Sequence, residues 1–162
     1  MDKLRSDDIV KLASSVIICM IPAFIAAMIN ARAIPTWYSF TNRPSLSPPD
    51  WVFGPVWTAL YILMAVSLFR VWRLGIDSPG VKGAMGVFAV QLLLNGLWTP
   101  VFFGLRSPLG GLVVIGLLWV AILITIIRFS ALSHTAMLLL IPYLTWVSFA
   151  AVLNAQFYML NK

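Results

Sequence analysis

The residues that usually run chemistry are scarce in this chain. Among 162 residues there are five aspartates and no glutamate, one histidine (His134) and one cysteine (Cys19). No two carboxylates share an apolar stretch, and no set of His, Cys and Asp has the spacing of a zinc, iron or magnesium site. No serine or cysteine has a general base beside it, and no glycine-rich phosphate loop follows a strand. Carboxylates are also missing from the middle of every apolar run, which argues against proton- or ion-coupled pumping. Aromatic and amide side chains at helical spacing remain. Phe53, Trp57 and Tyr61 fall at i, i+4 and i+8, and Gln91, Asn95 and Trp98 at i, i+4 and i+7. Phe102 follows Trp98 just past Pro100. Trp146 follows Pro142 by four residues, with Phe149, Ala150 and Leu153 on the same broad side and Asn154 beside them. Such groups bind rather than cut. Ring faces supply contact area to a flat apolar ligand, and amides set its orientation.

The elements that must position these side chains are membrane helices. The chain is 61% hydrophobic and only 10% charged, against about a quarter charged in a soluble domain. Runs free of charge and histidine cover 12–31, 51–69, 83–105, 107–127 and 135–161. Each is long enough to approach or cross a hydrocarbon layer of about 30 Å. The expectation is an all-α integral membrane protein: a single domain over 1–162, built as a five-transmembrane-helix bundle with spans near 9–31, 51–71, 83–104, 108–128 and 135–160. With the amino terminus on one side, that side holds Lys3, Arg5, Lys11, Arg70, Arg73, Lys82 and Arg128; the other holds Arg32, Arg43, Arg106 and Lys162. The excess favours a cytoplasmic amino terminus. The net charge of +6 is spread over ends and loops rather than gathered into a nucleic-acid patch.

Within the first span Pro22 bends the helix, and Ala23, Ala26, Ala27 and Ala31 permit close packing; a kinked packing helix is one reading and a kink that shapes a cavity the other. Residues 32–50 form a connection far longer than the usual 4–6 residues. Its Trp37, Tyr38 and Phe40 favour an ordered lid over a disordered link, with interfacial anchoring as the other reading. Pro48 and Pro49 then start the second helix, with Asp50 placed to cap it. Trp51 suits an interface belt, whereas Trp57 lies about 9 Å deeper at about 1.5 Å per residue. The Gln91–Asn95–Trp98 stripe admits two readings, an interhelical hydrogen-bond network or a ligand contact. Cys19 and the strip of Gly83, Gly86 and Ala89 read as packing, the strip with a second copy of the chain as one partner.

Three segments carry a resemblance. PPDWVFGPVWTALY (48–61), QLLLNGLWTPVFFG (91–104) and PYLTWVSFAAVLN (142–154), with the proline- and tryptophan-bearing WYSFTNRPSLSPP (37–49), resemble the TspO/MBR family of tryptophan-rich sensory and translocator proteins, also called peripheral-type benzodiazepine receptors. The likeness covers nearly the whole chain and implies a five-helix, usually homodimeric bundle in a bacterial or archaeal cell membrane. It implies a receptor or regulator that binds tetrapyrroles such as protoporphyrin IX and haem, and in some members transports them, with no cofactor required. By motif, Trp57 and Trp146 match the two pocket tryptophans, and Tyr61, Asn95 and Trp98 match pocket-lining positions. The ligand-contacting set is then Trp37, Phe53, Trp57, Tyr61, Gln91, Asn95, Trp98, Phe102, Trp146, Phe149, Ala150 and Leu153. Alternatives stay open: light- and oxygen-dependent porphyrin degradation with Trp57 and Trp146 as the reactive indoles, a sterol or lipid transporter, or a ligand-free structural membrane protein. Leu153, Tyr158 and Lys162 fit a loose cholesterol pattern, but Lys162 replaces the arginine expected in animal members, which weakens the sterol reading.

Overall fold

The computed structural model describes residues 6–162. Five helices follow in order: α1 (Ser6–Thr36), α2 (Asp50–Trp72), α3 (Val81–Thr99), α4 (Pro108–Ser130) and α5 (His134–Leu160). A short 3₁₀ turn, Tyr38–Phe40, lies between α1 and α2, and a π-helical turn, Pro100–Gly104, prolongs α3. All five helices are long and apolar enough to cross a membrane. Among the described residues there is no strand.

The helices close into a ring. α1 packs on α2 and α3, α2 on α5, α5 on α4, and α4 on α3. The exterior carries large apolar side chains, including Ile17 (65% exposed), Phe24 (69%), Leu93 (73%) and Ile127 (59%), while Ser15, Ser67, Gln91, Asn95, Thr125 and Asn154 are buried. Hydrocarbon outside and polar groups inside is the arrangement a bilayer selects. Short links have clear local causes. Ser107 and Ser133 are the N-caps of α4 and α5, accepting from the backbone N–H of Gly110 (3.1 Å) and Ala136 (3.3 Å). Gly75 and Gly80 take positive φ in the α2–α3 turn, as L residues rarely do.

Two boundaries differ from the sequence expectation. α1 runs to Thr36 rather than ending near residue 31, passing through Pro35 in its last turn. The charge at Arg32 ends the apolar run but not the helix, because a charged side chain is compatible with helical backbone. At the start of α2, Pro49 occupies the N-cap with φ −53° and ψ 141°, and Asp50 is already helical. Its carboxylate pairs with Arg43 at 3.0 Å instead of capping the backbone.

One half of the ring is solid. Met64, Leu68, Val71, Val81, Phe88, Phe129 and Leu140 fill it, and the Phe88 and Phe129 rings stack at 5.7 Å. At that end an ion pair, Arg73 Nε to Asp8 Oδ2 at 3.3 Å, joins the start of α1 to the end of α2. The other half is not filled.

Candidate functional site

A cavity of about 350 Å³ occupies the half of the ring nearer the α1–α2 loop, within the range of about 300–1,000 Å³ usual for small-molecule sites. Every helix contributes to it. Ala23, Ala26, Ala27 and Asn30 come from α1, and Phe53, Gly54, Trp57, Thr58 and Tyr61 from α2. Asn95, Trp98 and Thr99 of α3 continue into Phe102 and Phe103 of the π turn; Ile115 and Leu118 come from α4. Trp146, Val147, Ala150, Leu153, Asn154 and Phe157 complete the wall from α5. Small residues on α1 and α5 leave the space, and aromatic residues on α2, α3 and α5 set its surface. Asp50 is the one charged side chain on this wall.

Hydrogen bonds fix the aromatic walls. Tyr61 O–H donates to Asn95 Oδ1 (2.8 Å), and Asn95 Nδ2 donates to Tyr143 Oη (2.9 Å), so one amide joins α2, α3 and α5. Trp98 Nε1 donates to Asn154 Oδ1 (3.1 Å), while Asn154 Nδ2 donates to the Pro108 carbonyl (2.8 Å). Asn154 therefore holds the indole of α3 against the first turn of α4. Trp98 stacks on Phe102 at 5.0 Å, and the π turn explains how: Leu105 N–H reaches back to the Pro100 carbonyl, adding a residue to the turn. Trp57 leans on Tyr61 (5.6 Å) and meets Tyr143 edge-on (6.3 Å); Phe53 meets Trp146 edge-on (5.9 Å).

The α1–α2 loop roofs this half of the ring. Tyr38 stacks on Phe157 (5.6 Å, 10°), and the Arg43 guanidinium lies over the Tyr38 ring at 4.5 Å while pairing with Asp50. A reciprocal pair ties the loop to the end of α5: Asn42 N–H donates to Asn161 Oδ1, and Asn161 Nδ2 donates to the Asn42 carbonyl, each at 2.9 Å. Tyr38, Pro44 and Ser47 thereby become part of the cavity wall. Phe40 points away, 84% exposed, as does Trp51 at 75%. Arg43, the basic residue of this loop, is already matched by Asp50.

The sequence-based candidates separate in space. Phe53, Trp57, Tyr61, Asn95, Trp98, Phe102, Trp146, Ala150 and Leu153 line the cavity, and Trp37, Gln91 and Phe149 do not. Trp37 packs behind the wall, edge-on to Phe102 and Phe157 at 5.9 Å each. Phe149 backs Trp146 at 5.5 Å. Gln91 is 1% exposed, and neither of its amide atoms has a hydrogen-bond partner among the described residues. One helical turn below Asn95 has carried it out of the cavity into the packed half. For Asn95 itself, both amide atoms serve the interhelical network. Sequence reasoning named no α1 residue among the site candidates and missed Tyr143. The alanines of α1 read equally as packing, whereas Tyr143, three residues before Trp146, had a usable signal in its spacing. Among the described residues no group of His, Cys and Asp could hold a metal ion.

A family model described as the TspO/MBR family matches residues 15–160. The Tryptophan-rich protein TspO of Chlorobaculum tepidum is 42% identical over 153 residues, 94% of this chain and 97% of that protein. The protein of the same name from Archaeoglobus fulgidus is 41% identical over 155 residues, 95% and 99% of the two chains. The Translocator protein of Homo sapiens is 39% identical over 119 residues, 73% and 70%.

Proposed function

This chain belongs to the TspO/MBR family and is an integral, multi-pass protein of a microbial membrane; on that premise we propose that it is a receptor binding a tetrapyrrole in the aromatic cavity between its helices. The observation that carries the proposal is a single cavity to which all five helices contribute, walled by Trp57, Trp98 and Trp146. Indole and phenyl faces suit a flat conjugated ring system. The inner wall carries no charge, and Asp50 at the loop end is already paired with Arg43, so an apolar body suits the inner end and acid groups belong toward the loop. Protoporphyrin IX and haem are the ligands that the resemblance implies, and a homodimer is the assembly it implies. Relatives are named both for sensing, the Tryptophan-rich sensory protein of Cereibacter sphaeroides, and for translocation, the Translocator protein of Homo sapiens. Flux of protoporphyrin IX into sealed liposomes, against protein-free controls, separates the two for this chain.

Protoporphyrin IX titrated into the purified protein in nanodiscs is expected to quench tryptophan fluorescence saturably. Changing Trp57 and Trp146 together to phenylalanine should weaken binding at least tenfold. Absence of saturable binding by folded protein would remove the proposal.

A second reading, photo-oxidative porphyrin breakdown, is favoured by the position of two indoles, Trp57 and Trp146, on the wall of one cavity. An indole is oxidisable, and illuminated porphyrin with oxygen generates the oxidant. A tetrapyrrole product formed in light and air by the wild type, and absent with Trp57→Phe or Trp146→Phe, supports it. Equal bleaching with an unrelated membrane protein refutes it.

A further inference from the structure

Residues of α1 and α2 belong to two surfaces at once. On α2, Trp51 (75% exposed) and Ile62 (51%) mark the face turned to lipid, and Gly54 and Thr58 lie on that face between them. On α1, Phe24 (69%) and Met28 (57%) mark the corresponding face, and Ala27 lies between them, also exposed. Yet Ala27, Gly54 and Thr58 all line the cavity. A residue that faces both the exterior and the cavity is the rim of an opening. α1 and α2 are packing neighbours, so the opening lies between them. Gly54 and Thr58 sit roughly 5 and 10 Å below Trp51 at about 1.5 Å per residue, which is hydrocarbon depth if Trp51 marks the interface.

Local chemistry agrees. A glycine inside a helix is costly relative to alanine unless a close neighbour or a special φ requires it. At Gly54 a Cβ would meet nothing within 4 Å, so no neighbour demands glycine there. What its absent side chain provides is a low sill. Thr58 keeps its hydroxyl satisfied by donating to the Gly54 carbonyl at 2.9 Å, so it brings no unmet polar group to the rim. The loop end, by contrast, is closed by the Asn42–Asn161 pair, the Arg43–Asp50 pair and the Tyr38–Phe157 stack.

We infer that the cavity is reached sideways, from the hydrocarbon phase, through a portal between α1 and α2 whose rim is Ala27, Gly54 and Thr58. Its occupant in transit is a flat apolar molecule already dissolved in the bilayer. This deepens the ligand-binding proposal and rests on it for the ligand, while the portal itself can be tested without one. Cys19, fully buried, is first changed to alanine, and Ala150→Cys places one thiol on the cavity wall. Pyrene maleimide dissolved in the bilayer of proteoliposomes is expected to label it. Plugging the rim with Gly54→Leu and Ala27→Leu should slow labelling at least tenfold; Asn161→Ala, which loosens the loop, should change it less than twofold. Thr58→Leu alone, a milder plug, should slow it severalfold. Labelling indifferent to all three plugs, no labelling at all, or labelling accelerated at least tenfold by Asn161→Ala overturns the portal. With protoporphyrin IX, the double plug should slow association at least tenfold. Labelling through the portal without porphyrin binding would sink the tetrapyrrole reading alone, and normal binding with plug-insensitive labelling would sink the portal alone.

Discussion

The amide of Asn95 is the joint on which the cavity's inner end depends, and Asn95→Leu is the change that exposes its role. The substitution keeps the branched heavy-atom skeleton and removes both polar atoms. Tyr61 then loses an acceptor at 2.8 Å and Tyr143 a donor at 2.9 Å. A buried polar group stripped of its partner costs about 1–3 kcal/mol, but interhelical hydrogen bonds in membrane proteins average only about 0.6 and reach about 1.7 kcal/mol. The two tyrosines differ: Tyr61 borders the cavity and can turn its hydroxyl there, whereas Tyr143 is fully buried, at 0% exposure. Tyr143 therefore takes most of the penalty, and the sum should come to about 2 kcal/mol, or roughly thirtyfold in the folding equilibrium. Replacing all three groups (Tyr61→Phe, Asn95→Leu, Tyr143→Phe) should recover most of that loss, because no partner is left orphaned. Reversible unfolding by SDS in mixed micelles, followed by helical circular dichroism, measures both. A loss below about 0.5 kcal/mol for Asn95→Leu, or a triple variant no more stable than the single one, would refute this reasoning.

Two glycines of α4 make a matched pair. A Cβ at Gly111 would lie 2.7 Å from Phe102 Cδ2 and 2.9 Å from Asn154 Oδ1, whereas one at Gly116 would meet nothing within 4 Å. Gly111→Ala should therefore destabilise by about 1–3 kcal/mol through overpacking and disturb Trp98 fluorescence through Asn154. Gly116→Ala should be neutral or stabilising by up to about 1 kcal/mol; equal effects would contradict the packing. Asn161→Ala cuts the tie between the loop and α5, so proteolysis within residues 37–49 should quicken at least fivefold with helical content unchanged. Unaltered cleavage would mean that Arg43–Asp50 and Tyr38–Phe157 hold the loop alone.

Charge-free length and i, i+4 spacing made five helices and most aromatic wall positions legible, because both are local properties of a helix. Depth and neighbours are not local. Gln91 and Asn95 share one stripe, yet one is sealed in the packed half and the other borders the cavity. Periodicity gives the face of a helix, not the level at which the opposing side chains become too small to fill the ring. Two readings of α1 stayed open because alanines that pack and alanines that leave space look alike in sequence; the absence of bulk on α5 at Ala150 distinguishes them. The roof was anticipated from its aromatics, but its fastening, Asn42 to Asn161 across 119 residues, lies beyond any spacing argument. Asp50 shows the opposite error: it has the type and position of a cap, and Arg43 claimed its carboxylate first.

The tryptophans of the wall are not equivalent, and stability should tell them apart before any ligand does. Trp98 has its indole N–H committed to Asn154 at 3.1 Å. Trp98→Phe therefore leaves Asn154 Oδ1 without its donor and loosens the contact that holds α3 to α5 and α4, a loss of about 1–2 kcal/mol. Trp146 differs: its Nε1 is buried and has no hydrogen-bond partner among the described residues. An unmet donor in an apolar surrounding is a standing cost, and phenylalanine at 146 removes it along with some ring area. The two contributions oppose, so Trp146→Phe should fall within about 1 kcal/mol of the wild type in the same SDS titration. If the cavity binds a tetrapyrrole, Trp146→Phe is then the variant that loses affinity while keeping its fold, and Trp98→Phe loses both. A Trp146→Phe protein as unstable as Trp98→Phe would mean that the indole of α5 holds the bundle together, and that its place on the cavity wall is a by-product of packing.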